Sequence, residues 1–375
     1  MGHTLEKMTA YCPISGCTPD IPHGLASYLR KEFEGSAGPL VTQALEELIL
    51  EDKGMNDVTI VGDLETFSHR MTDPTTSHQV TRNEVLHTPE SNIRVVRHCK
   101  AGERWSLGIV DDPVDSGDDT GFIAVFGVLI MVQTFSLPIL HLATNGRVTP
   151  QRLWRLAMHQ GWSEVNLSES DRGVYGLVGV DYGALEHERK QYPSPLPWMI
   201  PAEAAALEEL GDCEAIKEVM MHRGGLWMWM SPDRFPLEAA PEEMAPSHVS
   251  SVLSPPNANP ATIEKLPFEL LCAIVLEGPL SSLLSLASAS RSLYALILGS
   301  ESDKNAIASA WIIKNAPWYV PVDCSDEENT QSDLKRTSDT WTYLRRCQAS
   351  ASMRNRERIW RIAEQIEALA ERCEV

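Results

Sequence analysis

Residues 266–298 read Leu-Pro-Phe-Glu-Leu-Leu-Cys-Ala-Ile-Val-Leu-Glu-Gly-Pro-Leu-Ser-Ser-Leu-Leu-Ser-Leu-Ala-Ser-Ala-Ser-Arg-Ser-Leu-Tyr-Ala-Leu-Ile-Leu. Pro267 and Pro279 stand where helices begin, because a proline in the first turn forfeits no intrahelical hydrogen bond. Gly278 and Gly299 stand where the first and third helices end. Leu266, Leu270 and Ile274 fall on one helical line, and Leu271 and Val275 on a second. Leu280, Leu283, Leu284 and Ala287 repeat the spacing, as do Leu293, Leu296 and Ile297. The pattern predicts three short helices. So small a bundle cannot bury this many leucines by itself. The surplus apolar surface requires a partner, either the rest of the chain or another protein.

The order and spacing of these residues resemble the F-box. The family's Leu-Pro-x-Glu opening stands here as Leu266-Pro267-Phe268-Glu269. Its leucine-rich centre stands as Leu283-Leu284-Ser285-Leu286, and its Ser-Arg pair as Ser290-Arg291. Two positions depart from the family pattern. Ser282 replaces an acidic residue before the central leucines, and Tyr294 is the only aromatic where many members carry tryptophan. Two further stretches resemble large fungal F-box proteins: Tyr182-Gly183 with Gln191 and Trp198 upstream, and Ser352-Met-Arg-Asn-Arg-Glu-Arg-Ile-Trp360 downstream.

The resemblance implies a substrate-receptor subunit of an Skp–cullin–F-box ubiquitin ligase. Such a subunit binds the Skp adaptor, and through it a cullin, while holding a target elsewhere. It has no catalytic residues, metal or cofactor of its own. The positions that would bind or support the adaptor are Leu266, Pro267, Glu269, Leu270, Ile274, Leu283, Leu284, Leu286, Ser290, Arg291 and Leu293. A Leu283→Asp change is expected to abolish adaptor binding and leave the N-terminal half folded. The alternative is an F-box-like scaffold acting outside any ligase.

Composition narrows the field. The chain has 375 residues and a formal net charge of −20, which argues against a protein built to grip nucleic-acid phosphates. A hydrophobic content of 43% fits a globular chain. Eight scattered cysteines and a polar start, Met1–Ala10, read as free thiols in a cytoplasmic or nuclear protein. Residues 120–146 lack charge, but the apolar run breaks at Gln133, Thr134, Ser136, Pro138 and His141. It reads as a buried element rather than a membrane span.

The N-terminal region, 1–230, reads as α+β. Cys12 and Cys17 with His23 make at most half a zinc site, and a turn with two free thiols is favoured. Leu25, Tyr28 and Leu29 share one helical face, and Val41, Leu45, Leu48 and Ile49 another. Val58–Val61, Ile93–Val96 and Trp105–Val110 read as strands, with a surface loop at 72–92. Asp111–Asp119 lacks calcium-loop spacing and reads as solvated. Thr149 and Pro150 open a helix that buries Leu153, Trp154 and Ala157. Gly173–Gly183 lacks the glycine spacing of a nucleotide turn and reads as a loop with a strand. Residues 201–221 read as helical. Leu226–Met230 reads as a core strand with Trp227 and Trp229 on one face.

Residues 231–262 carry seven prolines and read as a linker. The F-box follows at 263–300. Residues 301–375 read as further helices: one capped by Ser302 or Asp303, one at 335–348, and one at 353–373 capped by Ser352. The last sets Ile359, Ile362, Ala363, Ile366 and Leu369 opposite a stripe of Arg354, Arg356, Arg358 and Arg361, which is expected to pair with carboxylates. The fold class is α+β and predominantly α-helical: a mixed N-terminal region with a few short strands, then an all-α F-box with flanking helices. No nucleophile elbow, phosphate loop or His-Glu-x-x-His motif is present.

Overall fold

The computed structural model describes residues 11–17, 38–51, 57–63, 82–100, 109–110, 122–123, 129–160, 176–182, 201–223, 226–237, 262–322 and 339–375. The readings of Leu25, Tyr28 and Leu29, of 105–108, of 111–119, of Gly183, Gln191 and Trp198, of 238–261 and of 323–338 lie outside these residues. The fold is α+β and predominantly helical, with a small antiparallel sheet. It forms two compact units. The first joins Met1–Pro232 to Arg354–Val375, and the second is Asp233–Met353.

In the first unit the elements are α1 (Pro39–Glu51), β1 (Asp57–Asp63), α2 (Arg82–His87), β2 (Ile93–Lys100), β3 (Ile109–Val110), β4 (Phe122–Ile123), β5 (Ile130–Gln133), α3 (Ser136–Ala143), α4 (Pro150–His159), α5 (Pro201–Glu208) and α6 (Cys213–Arg223). The sheet order is β2-β1-β5, with both pairings antiparallel. As the central strand, β1 is buried on both faces. Its Val58, Thr59, Ile60 and Val61 are all solvent-free, so the run lacks the alternation of a half-exposed strand. The buried Thr59 hydroxyl is satisfied by Thr134 Oγ1 at 3.0 Å. The outer strand β2 is bulged opposite Thr59, where the register jumps between Val58 and Ile60. His98 takes a left-handed φ of 58° there, and Asp57 Oδ2 lies 3.0 Å from its Nδ1. The solvated face of β2 carries Arg94, His98 and Lys100.

Thr149 caps α4 by accepting from Arg152 N at 3.1 Å; Leu153, Trp154 and Ala157 are buried as their spacing required, and Leu156 is buried as well. The N-terminus of α1 is capped from a distance. The Glu208 carboxylate accepts from Leu40 N (3.1 Å) and Val41 N (2.9 Å), filling the anion site that unpaired helix N–H groups create. It lies where a side chain on Gly38 would go: a Cβ there would meet Glu208 Cδ at 1.5 Å.

Four local expectations are corrected. Leu226–Trp229 is a 3-10 turn, not a strand. The tighter turn lets the consecutive Trp227 and Met228 both point inward, where a strand would have turned one outward. The 72–92 loop contains α2, whose Val85 is buried. The 201–221 helix is two helices, α5 and α6, separated at Gly211 with φ +70°. Gly176–Tyr182 is a turn without a strand. In it the Tyr182 hydroxyl accepts from Leu177 N and donates to Pro13 O at 2.6 Å.

The second unit contains α7 (Phe268–Leu276), α8 (Leu280–Ala289), α9 (Arg291–Leu298), α10 (Glu301–Asn315) and α11 (Thr340–Ala349). The next helix, α12 (Ala351–Arg372), starts in this unit and passes into the first. The sequence reading had grouped α12 with α10 and α11. Its apolar face is instead spent on the first unit. The expected caps also shift by a turn or less. Ser300, not Ser302 or Asp303, caps α10, and Ser350, not Ser352, accepts from Met353 N.

Candidate functional site

Each of the three helices read from 266–298 begins and ends close to where its proline or glycine predicted. Pro267 and Pro279 are the N-cap residues of α7 and α8. Ser290 caps α9, its Oγ accepting from Leu293 N at 3.1 Å. The same hydroxyl donates to Glu264 Oε1 in the turn Thr262–Lys265, so the start of α9 is tied to the lead-in of α7.

The C-terminus of α7 leaves unpaired carbonyls, which α10 satisfies. Asn315 Nδ2 donates to Leu276 O (3.1 Å) and Trp311 Nε1 to Gly278 O (3.2 Å), while Lys314 Nζ pairs with Glu277 at 2.6 Å. A linear sequence carries no signal for this arrangement.

Burial then divides the leucines. Leu271, Val275, Leu280, Leu283, Ala287, Leu293 and Ile297 form the interior. Leu270 is 51% exposed, Ile274 48%, Leu284 43%, Tyr294 49% and Leu296 38%. Five of the large apolar side chains open to solvent among the described residues thus come from three consecutive helices. Leu270 and Ile274 are one turn apart on α7, so they form a single ridge.

Of the sequence-derived positions, Leu270, Ile274, Leu284, Pro267, Glu269 and Arg291 are exposed, and Leu266, Leu286 and Ser290 are half-buried. Leu283 and Leu293 are inside. They support the surface and do not present it. A carboxylate at the fully buried Leu283 would disrupt the packing of the second unit, so loss of adaptor binding in Leu283→Asp would report the helices' fold as well as docking. Burial, with the charges of Asp303 and Glu269, pushes the half-buried Cys272 thiol up, so it is a poor nucleophile.

A second concentration of polar groups lies inside the first unit. Cys12, Ser15, Cys17, Gln133, Ser136, Asn355 and Arg358 are all buried. Ser15 Oγ donates to Gln133 Oε1 at 2.6 Å, and Gln133 N lies 3.4 Å from Cys12 Sγ. Arg358 donates to Ser15 O, to Asn355 Oδ1 and, at 3.7 Å, to Cys17 Sγ. Burial pushes the Cys17 thiol up even though Arg358 draws it down, and burial pushes the Tyr182 hydroxyl up. Neither is poised to lose a proton at neutral pH, and the network's hydrogen bonds tie the 11–17 turn to Gln133 and Arg358.

The expected exposed arginine stripe on α12 is likewise corrected. Arg356 and Arg358 are buried and donate to main-chain carbonyls, and Arg354 stacks over Trp227 at 4.1 Å. Arg361 meets the expected carboxylate, Glu364, at 3.3 Å.

No protein-family model, curated protein or solved structure matches this chain. Among the described residues no cluster of His, Cys, Asp and Glu is suited to a metal ion, and no helix is long and apolar enough to cross a membrane.

Proposed function

We propose that α7, α8 and α9 form an F-box-type docking module, and that the chain is a non-catalytic substrate receptor for an Skp–cullin ubiquitin ligase in the cytoplasm or nucleus. One observation carries the reading. In the second unit, α7 to α9 leave Leu270, Ile274, Leu284, Tyr294 and Leu296 open while their neighbours pack inward. Leaving half a leucine in water forgoes roughly 1 kcal/mol. The Leu270–Ile274 ridge alone thus holds about 2 kcal/mol that a partner's apolar groove would recover. The Leu-Pro-x-Glu, Leu-Leu-x-Leu and Ser-Arg positions supply the class of partner, an Skp adaptor. The module's part would be to concentrate a target beside another protein's reactive site.

The test is co-purification of the full chain with an Skp-type adaptor, then with a cullin added. A ternary complex that is lost in a Leu270→Asp, Leu284→Asp double variant of unchanged thermal stability supports the reading. Adaptor binding without cullin recovery replaces it with a scaffold role. An adaptor that ignores the unmodified chain, or binds the double variant equally well, refutes it.

A further inference from the structure

The first unit is discontinuous: the chain leaves it after Pro232 and returns at Arg354. The returning segment is bound more thoroughly than a surface helix would be. Asn355, Arg356, Arg358, Ile359, Trp360, Ile362, Ala363, Ile366, Glu367, Leu369 and Ala370 are all buried, which is more than one face of α12. Its polar ties reach four separate segments of the unit. Asn355 Nδ2 donates to Met230 O (2.7 Å) and Arg356 to Pro232 O (3.2 Å), so exit and re-entry are fastened side by side. Arg358 holds Ser15 O. Gln365 Oε1 accepts from Asp181 N at 2.8 Å, with its Nε2 returning to Asp181 O at 3.3 Å. Arg147 Nε pairs with Glu367 Oε1 at 2.6 Å, and Arg152 Nε donates to Val375 O at 2.7 Å.

We infer that the first unit is a receptor for its own helix: residues 1–232 build a site for an amphipathic helix headed by Asn-Arg-Glu-Arg, and 354–375 are the ligand. The ligand's apolar ridge is Ile359, Ile362, Ile366 and Leu369. Its head carries buried donors that match carbonyls at Ser15, Met230 and Pro232. Recognition of a helix through an i, i+3, i+7 ridge is a general mode of peptide binding. Here it is made intramolecular by the 121-residue second unit, Asp233–Met353. Because 233–353 intervene in sequence, the receptor site has no ligand until residues 354–375 have been made. This does not depend on whether α7–α9 bind an adaptor.

The test is a scission experiment on the full chain. A site-specific protease sequence is placed at 245–250 and cut after folding. The fragments are expected to co-elute as one species and to separate in an Ile366→Asp variant cut the same way. Separation of the unmodified fragments overturns the inference, and so does co-elution of the variant's fragments as tightly as the parent's. A second readout covers misfolding of that variant. Amide exchange on the uncut chain with the milder Arg358→Ala change should rise at least tenfold at 11–17 and 176–182 and stay unchanged at 262–322. Equal loss of protection at 262–322 overturns the inference as well.

Discussion

Leu283 and Leu284 are adjacent, identical in chemistry and opposite in fate, so truncating each to alanine separates folding from docking. Leu283 is 0% exposed. Removing it opens a cavity in the interior of the second unit and should cost about 2–5 kcal/mol. Leu284 is 43% exposed, and its loss should change stability by less than about 0.5 kcal/mol. On docking, however, Leu284 has that 43% still to bury. Scaled from about 1.5–3 kcal/mol for a whole leucine, this is about 0.6–1.3 kcal/mol, or about 3- to 9-fold in Kd. Because the chain has two units, a single global unfolding curve is a poor measure. Amide exchange over 271–298 reports the second unit directly, and a titration with purified adaptor reports docking. Leu283→Ala should raise exchange throughout 271–298. Leu284→Ala should leave exchange alone and weaken binding. If both variants loosen the helices equally, the assignment of inside and outside faces is wrong. If Leu284→Ala binds as well as the parent, that residue lies off the interface.

Three further outcomes follow from local geometry. Ser290→Ala removes the α9 cap and its bond to the Glu264 carboxylate, and should cost about 0.5–2 kcal/mol in denaturant unfolding of the second unit. No measurable change would show that the Ser290–Glu264 tie is idle. Gly38→Ala should expel the Glu208 carboxylate from the α1 N-terminus and cost about 1–2 kcal/mol. Glu208→Ala should cost about as much, and the double variant little more; strict additivity would refute the shared cap. Burial pushes the Cys347 thiol up to about 12 from 9.0. Between those values the unfolded chain has lost this proton and the folded one retains it. Stability should therefore fall as pH rises through that window, by up to about 1.4 kcal/mol per unit. A Cys347→Ala chain should lose this slope, and an unchanged slope would show that other groups cause it.

The sequence was most informative where the governing interaction is local. Pro267, Pro279, Thr149 and Pro150 act within one turn of themselves, and each stands at a helix start as read. Lines of leucine along a helix were legible too, but which line faces inward was not. Leu270 and Leu271 are equally apolar, and the choice between them is made by the packing of α7 on α8, α9 and α10. Spacing also misjudged residues whose partners are distant. Arg356 and Arg358 looked like a solvated stripe because their acceptors, Pro232 O and Ser15 O, lie more than a hundred positions away. Trp227 and Met228 looked like an alternating strand because nothing nearby announces a 3-10 turn. The membership of α12 in the first unit follows from contacts with four segments and cannot be seen from its own heptads. The candidate docking surface was thus visible as an excess of leucine, and its open face only from the packing.

The bulged outer strand has a consequence for the protein's behaviour in a crowded cell. Among the described residues, β2 forms one edge of the sheet and pairs only with β1. An unpaired edge is a template on which another chain can add a strand. Here Arg94, His98 and Lys100 stand along the exposed positions of β2, in a chain whose overall charge is −20. Two such edges approaching each other would bring like charges together, and the left-handed kink at His98 would throw their hydrogen-bonding groups out of step. Arg94 and Lys100 thus oppose pairing of this edge with another copy of itself, beside the β-branched Val95 and Val96 that favour it.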